Sequence, residues 1–174
     1  MKVHIVVLGV LPPRLARSVL AGLPRPYEVG GVEESRDDLG RCYDRARAQT
    51  DAACLLDHVP RAAAGDMVLG LTALDLFLPP LVYVFGLTPL GERRGVLSCA
   101  RLASPEGGEE AAEALARRTV VESVHELGHA LGLVHCPVTD CAMHRSLWPE
   151  AVDLKRPAYC PSCAAELDRL VAPP

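Results

Sequence analysis

The sequence predicts an α/β domain built around a mostly parallel sheet. Short apolar runs typical of buried strands alternate along the chain with segments that have a helical pattern of apolar residues. The chain has 174 residues, of which 49% are hydrophobic, and this is enough to enclose one core. We therefore expect residues 1–174 to form a single compact domain.

Strands and helices alternate in the first half of the chain. Residues 1–10 have some likeness to a signal peptide, but their apolar run is short, and Pro12, Pro13 and Arg14 follow it without a convincing cleavage site. A buried parallel strand fits this segment better. The expected elements are a strand near 3–10, a helix near 13–22, a strand near 27–32 and a helix near 38–50.

Residues 67–87 form an apolar stretch long enough to raise the question of a membrane span. Asp75, Pro79 and Pro80 interrupt it, so we interpret it as two strands, near 67–73 and 81–86, joined by a turn. We expect no contact with a membrane. The remaining elements are a strand near 95–102 and a long helix from about 107 to 132.

The distribution of charge argues against a nucleic-acid partner. The net charge is −4, acidic and basic residues are interspersed, and only 4% of the residues are aromatic. No basic patch or aromatic stacking platform is visible. The mixed charges of residues 36–47 indicate a solvated helix. We expect a cytoplasmic protein.

The strongest functional signal is the pattern His-Glu-x-x-His-x-x-Gly-x-x-His, which runs from His125 to His135. On a helix, His125 and His129 are one turn apart and project from the same face. Gly132 can adopt the left-handed conformation that ends helices, so the chain can turn and bring His135 to the same ion. The pattern predicts a zinc site with three histidine ligands.

Three neutral histidines leave the fourth position of zinc open to water, which is typical of catalytic sites. Bound zinc lowers the pKa of that water to about 7 and polarises a carbonyl group. Glu126 lies beside His125 and can act as the general base. The predicted reaction is hydrolysis of a peptide bond. The alternative is that the histidines lie on a helix surface and that Glu126 is simply solvated.

A second zinc site is predicted from four cysteines in the last part of the chain, Cys136, Cys141, Cys160 and Cys163. Four thiolates make a closed, structural site. The alternatives are two disulfides or four unrelated core cysteines. Residues 133–174 form a short segment that needs such a metal to hold its fold, so we expect it to be a subdomain beside residues 1–132, which include the active-site helix.

These motifs resemble those of the archaemetzincins, a family in the metzincin clan of metallopeptidases. The resemblance rests on the histidine motif, Cys136 directly after it, the run Cys141-Ala142-Met143, and the closing Cys160 and Cys163. It implies a metzincin-like fold in which the mostly parallel, twisted sheet has an antiparallel edge strand above the cleft. Our candidate for this strand is residues 81–86, with an interior strand as the alternative.

The resemblance also implies a methionine-containing turn beneath the catalytic zinc. Met143 falls at this position and would support the histidines without reacting. The alternative is an ordinary core methionine, which makes nearly the same structural prediction.

The other cysteines and histidines carry weaker signals. Cys42, Cys54 and Cys99 lie in apolar or helical contexts and are interpreted as small core residues. His4 and His58 are interpreted as structural or surface residues. Two candidates for the catalytic region remain, His144 as a residue facing it and Tyr159 as a hydroxyl donor to the transition state.

Two functional hypotheses follow. The first is a zinc-dependent metallopeptidase with two zinc ions per chain, a peptide or protein substrate and Glu126 as general base. The second is a zinc-stabilised peptide-binding module with weak or no hydrolytic activity, suggested by the small size of the chain and the lack of a visible inhibitory segment. A non-peptide amide substrate is a third possibility, and the sequence leaves the oligomeric state open.

Overall fold

Strands in the computed structural model, which describes residues 1–12, 14–104 and 107–172, form two sheets. The strands are β1 (Lys2–Leu8), β2 (Glu28–Glu34), β3 (Tyr43–Asp44), β4 (Gln49–Asp51), β5 (Met67–Thr72), β6 (Leu76–Leu78), β7 (Leu81–Val84), β8 (Gly86–Leu87) and β9 (Arg94–Ser98). The helices are α1 (Leu15–Gly22), α2 (Ala52–Leu56), α3 (Glu109–Ala130), α4 (Pro149–Val152) and α5 (Pro161–Val171).

The larger sheet has the strand order β2-β1-β5-β9-β8. Its first four strands run parallel, and β8 pairs antiparallel with β9, with Gly86 opposite Leu97. The prediction of a mostly parallel sheet with an antiparallel edge strand is therefore confirmed. The smaller sheet has the order β3-β4-β6-β7.

Apolar residues of β1 point alternately to the two faces of the larger sheet, as expected for a strand buried on both sides. Val3 and Ile5 belong to the apolar cluster that includes the buried face of α3. Val6 and Leu8 belong to a second cluster, which includes α2. The sheet is thus a central layer between helices, and α3 lies across one of its faces.

The predicted edge strand at residues 81–86 is divided between the two sheets. β7 pairs antiparallel with β6 at the edge of the smaller sheet, and β8 forms the edge of the larger one. Both pieces are edge strands, so the interior-strand alternative is wrong. The apolar stretch at residues 67–87 contains four strands, β5, β6, β7 and β8, where two were predicted.

The prediction of a helix near 38–50 is wrong. Gly40–Cys42 forms a single 3₁₀ turn, and β3 and β4 form an antiparallel hairpin. The reason is local, because Asp44 Oδ1 accepts hydrogen bonds from the backbone N–H groups of Ala46 (2.8 Å) and Arg47 (3.2 Å). Such a side chain offers the backbone a turn in place of a helix. The helix predicted near 13–22 is α1, and residue 13 lies outside the described residues.

Cys42 and Cys54 were predicted to be small core residues, and the structure corrects this, because the two form a disulfide. Cys42 immediately precedes β3 and Cys54 lies in α2 just after β4. The hairpin brings their Cα atoms to 5.5 Å, a normal separation for a disulfide. Cys99 is a buried free cysteine, as predicted, and burial raises its pKa to about 11.

Within the described ranges, no helix is both long enough and apolar enough to cross a bilayer. The segment that raised this question, residues 67–87, is instead built from short strands.

We predict that the double variant Cys42→Ser/Cys54→Ser has a free energy of unfolding about 2–3 kcal/mol lower than the wild type, because a cross-link across 12 positions restricts the unfolded chain. Urea denaturation without reductant measures this difference. A phosphine reductant should bring the wild type down to the value of the variant. Equal stabilities without reductant would show that the disulfide does not form or has no effect on stability.

Candidate metal centres and cleft

The last turns of α3 place His125 and His129 side by side. Their Nε2 atoms are 3.1 Å apart, and the His135 ring centroid lies 5.2 Å from that of His125 and 4.9 Å from that of His129. One ring nitrogen from each of the three lies within 4.8 Å of the others. The three imidazoles can therefore converge on one ion.

His135 reaches this position because of how α3 ends. Gly132 has φ +100°, its N–H donates to His129 O (2.9 Å), and the N–H of Leu133 donates to Gly128 O (2.9 Å). This pair of hydrogen bonds is the Schellman motif, which needs a residue in the left-handed region. Glycine adopts that conformation without strain and turns the chain back toward the helix.

Backbone carbonyls fix the orientation of the two helical histidines. Nδ1 of His125 donates to Ala142 O (2.7 Å), and Nδ1 of His129 donates to Leu133 O (2.8 Å). A carbonyl can only accept, so in each neutral ring the lone pair is on Nε2. Burial lowers the pKa of all three histidines, which keeps the rings neutral.

This arrangement fits a metal ion. Two Nε2 lone pairs that face each other at 3.1 Å repel unless a cation shares them. Neutral imidazoles with their second nitrogen bonded to a carbonyl are the usual form of histidine ligands. The donor set is nitrogen only, which suits zinc.

Glu126 is almost fully buried beside the histidines. Its Oε2 atom has no hydrogen-bond partner among the described residues, and burial raises the pKa of this carboxyl to about 8. Its position depends on Gly86 of β8, where a Cβ atom would lie 2.5 Å from Glu126 Oε1. The carboxyl therefore fills the space that a side chain at position 86 would occupy.

The histidines and Glu126 line a cleft of about 350 Å³. One wall consists of residues 81–88, from β7 and β8, and the opposite wall consists of Arg145, Ser146 and Leu147. The hydroxyl of Tyr83 donates to Leu147 O and so links the two walls. Arg145 is exposed and is the one arginine or lysine that lines the cleft in the described part of the chain.

Met143 is fully buried and packs against Gly128 of α3. A Cβ atom on Gly128 of α3 would lie 2.3 Å from Met143 Sδ and 3.2 Å from a ring carbon of Tyr159. The loop that carries Met143 is held to the preceding segment, because the N–H of Cys136 donates to Met143 O (2.9 Å). The methionine-containing turn therefore packs against α3 where the helix has no side chain.

The four cysteines of the last segment meet in one cluster. One sulfur from each lies within 4.8 Å of the others, and all four are free thiols, which excludes the two-disulfide alternative. The backbone N–H of Cys160 donates to Cys141 Sγ (3.3 Å), and the backbone N–H of Cys163 contributes most to lowering the pKa of Cys160 to about 7. Four converging sulfurs fit a closed tetrahedral zinc site.

Two weaker predictions about the catalytic region fail. The hydroxyl of Tyr159 donates to Val124 O (2.8 Å) and bonds the hydroxyl of Tyr27, and Tyr159 does not line the cleft. The prediction that it donates to the transition state is wrong, because its hydroxyl is bonded to these two partners and Tyr159 lines a different cavity, together with Met1 and Leu167. His144 bonds Cys136 O (3.0 Å) and does not line the cleft either.

The remaining histidines behave as structural or surface residues. His4 lies 3.4 Å from an Asp66 carboxylate oxygen, and His58 lies 2.8 Å from one of Asp37.

Sequence reasoning missed three residues at the site, Glu122, Arg145 and Lys155. The sequence offered one signal, and only for Lys155, which is one of just two lysines in the chain, the other being Lys2.

A mostly parallel sheet crossed by a long helix, with three neutral imidazoles and a buried carboxylate at a cleft, defines a class of protein, the zinc metallopeptidases. The profile of Peptidase family M54 matches residues 50–169. The archaemetzincin of Halobacterium salinarum is 39% identical over 168 residues, covering 94% of this chain and 97% of that protein. That of Methanopyrus kandleri is 42% identical over 129 residues, covering 73% and 70%.

Solved structures agree with the sequence comparison. The crystal structure of archaemetzincin from Archaeoglobus fulgidus, complexed with malonate, has a TM-score of 0.83 at 33% identity and covers 95% of this chain and 99% of its own. The structure from Methanopyrus kandleri has a TM-score of 0.82 at 34% identity, covering 98% and 95%. The chain belongs to peptidase family M54, the archaemetzincins, and the resemblance inferred from its motifs is confirmed.

We predict that Gly128→Ala lowers the free energy of unfolding by about 1–3 kcal/mol, because the new methyl group overpacks the contact with Met143. Alanine is otherwise the better helix former by about 1 kcal/mol. The sign of the change in the free energy of unfolding therefore tests the contact between Gly128 and Met143. Thermal and urea unfolding measure this change. Gly107→Ala, just before α3, is the control for an added methyl group without neighbours, since nothing lies within 4 Å of its Cβ. A stabilised Gly128→Ala protein would contradict the packing described.

Proposed function

We propose that this chain hydrolyses peptide bonds with one zinc ion held by His125, His129 and His135 and with Glu126 as the general base. The observation that carries the proposal is the buried Glu126 Oε2, which has no partner in the described residues and belongs to a residue that lines the same cleft as the three histidines. Zinc at the histidines supplies Lewis-acid chemistry, since it lowers the pKa of water and polarises an amide carbonyl.

Glu126 then moves the proton. Its free Oε2 accepts a proton from the attacking water and returns it to the departing amine nitrogen. Without metal, burial raises the pKa of this carboxyl to about 8. A dication held by the adjacent histidines would favour the carboxylate and so lower this pKa, which suits a general base.

The edge strands supply a surface for the substrate backbone. Both β7 and β8 are sheet edges and both line the cleft, so their unpaired main-chain groups can bind an extended peptide as an additional strand. Leu81 and Val82 of β7 are exposed at this rim. Main-chain bonds would set the register of the substrate, and the opposite wall, which carries Arg145 and Leu147, would contact its side chains.

We infer a second, structural zinc at Cys136, Cys141, Cys160 and Cys163, which makes two zinc ions per chain. This ion would hold residues 133–174 as a subdomain beside residues 1–132. It would also fix His135, because Cys136 is the next residue. Met143 supports the histidines by packing against Gly128.

A cytoplasmic location stays a prediction. The disulfide between Cys42 and Cys54 weighs against it, because disulfides are rare in the cytosol outside hyperthermophiles. The alternative function, a zinc-stabilised peptide-binding module, gives no role to Glu126. The two functions differ in whether turnover of a peptide depends on that carboxylate.

We predict that Glu126→Gln lowers kcat on a quenched fluorescent peptide library by about 10²–10⁴-fold, because the amide cannot accept the proton of the water. Zinc content and the unfolding midpoint should stay at wild-type values. Glu113→Gln, at an exposed position of the same helix, is the matched control and should keep full activity. Hydrolysis that persists in a contaminant-free Glu126→Gln sample would refute the proposed base.

A further inference from the structure

Lys155 and Glu122 form a buried ion pair next to the cleft. Their Nζ and Oε1 atoms are 2.5 Å apart, and the side chains are 0% and 3% exposed. Neither residue belongs to the histidine or cysteine motif. Glu122 lies one helical turn before Glu126 on α3 and lines the cleft, whereas Lys155 follows α4.

The lysine ammonium uses all of its donors. Besides Glu122 Oε1, Nζ donates to Ala142 O (3.3 Å) and His144 O (3.1 Å). An ammonium group has three hydrogens, and each has an acceptor here. The two carbonyls flank Met143 in the chain, so Lys155 holds the methionine-containing turn from both sides.

One of these carbonyls also orients a histidine. Ala142 O accepts from Lys155 Nζ and from His125 Nδ1 (2.7 Å). A shift of this carbonyl would rotate the His125 ring or lengthen its hydrogen bond. Lys155 therefore acts on His125 through the carbonyl, and on α3 through Glu122.

Stability alone is a weak explanation for such a pair. Removing two charges from water is costly, and apolar side chains of similar volume often replace a buried pair without loss of stability. A pair that joins the cleft-lining face of α3 to the carbonyl behind His125 serves instead to fix relative position. Partners of this kind that hold a ligand in place commonly change metal affinity by 10–100-fold when they are removed.

We propose that Lys155 and Glu122 are positioning residues that set His125 in the geometry in which it holds the catalytic metal. The inference rests on the proposed function, because it takes the three histidines as the metal site.

The test measures zinc affinity rather than activity. Zinc content is followed against free zinc in chelator buffers for the wild type, Lys155→Met, Glu122→Gln and the double variant. The histidine-site step is identified as the one that His129→Ala lacks. Lys2→Met, a change to the exposed lysine of β1, is the matched control and should leave both steps unchanged.

We expect Lys155→Met to weaken the histidine step at least tenfold and to leave the cysteine step in place. The single variant also leaves a buried carboxylate without a partner, which destabilises the fold for purely structural reasons. The double variant removes this charge, so its unfolding midpoint should recover. Its histidine-site affinity should stay at least tenfold low, because the Ala142 carbonyl has still lost its lysine.

Recovery of both stability and zinc affinity in the double variant would overturn the inference, since the pair would then be structural only. So would unchanged affinity in a folded Lys155→Met protein. If Lys155→Met does not fold, the double variant alone decides the question. If the wild type lacks a zinc step that depends on His129, the proposed function itself fails, and the inference fails with it.

Discussion

The site depends on the contact between α3 and the turn at residues 142–144. His125 donates to Ala142 O, and Gly128 lets Met143 pack directly against the helix. These two contacts join the helix that carries two of the histidines to the segment that carries the cysteines. If the turn moved away from α3, the His125 ring would lose the acceptor that orients it and the helix would lose its contact with Met143.

The orientation of the histidine rings and the close packing at two glycines explain most of the chemistry proposed for the site. Carbonyl acceptors for Nδ1 leave the Nε2 lone pairs free to face one another, and burial keeps the rings neutral. Gly86 leaves room for the Glu126 carboxyl at the same point. Glycine is therefore needed at two positions, at Gly128 of α3 and at Gly86 of β8. The space left by the missing side chain is filled by Met143 at the first position and by Glu126 at the second.

The features that could be predicted from the sequence are those that depend on the spacing of residues close together in the chain. His125, His129 and Gly132 are identified because a helix and its end place them at fixed intervals. The β3–β4 hairpin was missed because Asp44 makes a turn that outweighs the helical pattern of its neighbours. Lys155 could not be paired with Glu122 from the sequence, since only the packing of the last segment on α3 brings them together. The contact between Tyr159 and Tyr27 is distant in the same way, whereas the disulfide was missed together with the hairpin that brings its two cysteines together.

The measurement that tests the account most directly is the zinc content of protein purified without chelator and without added metal. We expect close to two zinc ions per chain by elemental analysis, one for each donor group. The variant Cys160→Ser/Cys163→Ser should lose the structural ion and bind the other more weakly, because the two groups share the segment that begins at His135. A single zinc ion that is lost with the cysteines, with the histidines empty in the folded wild type, would contradict the account.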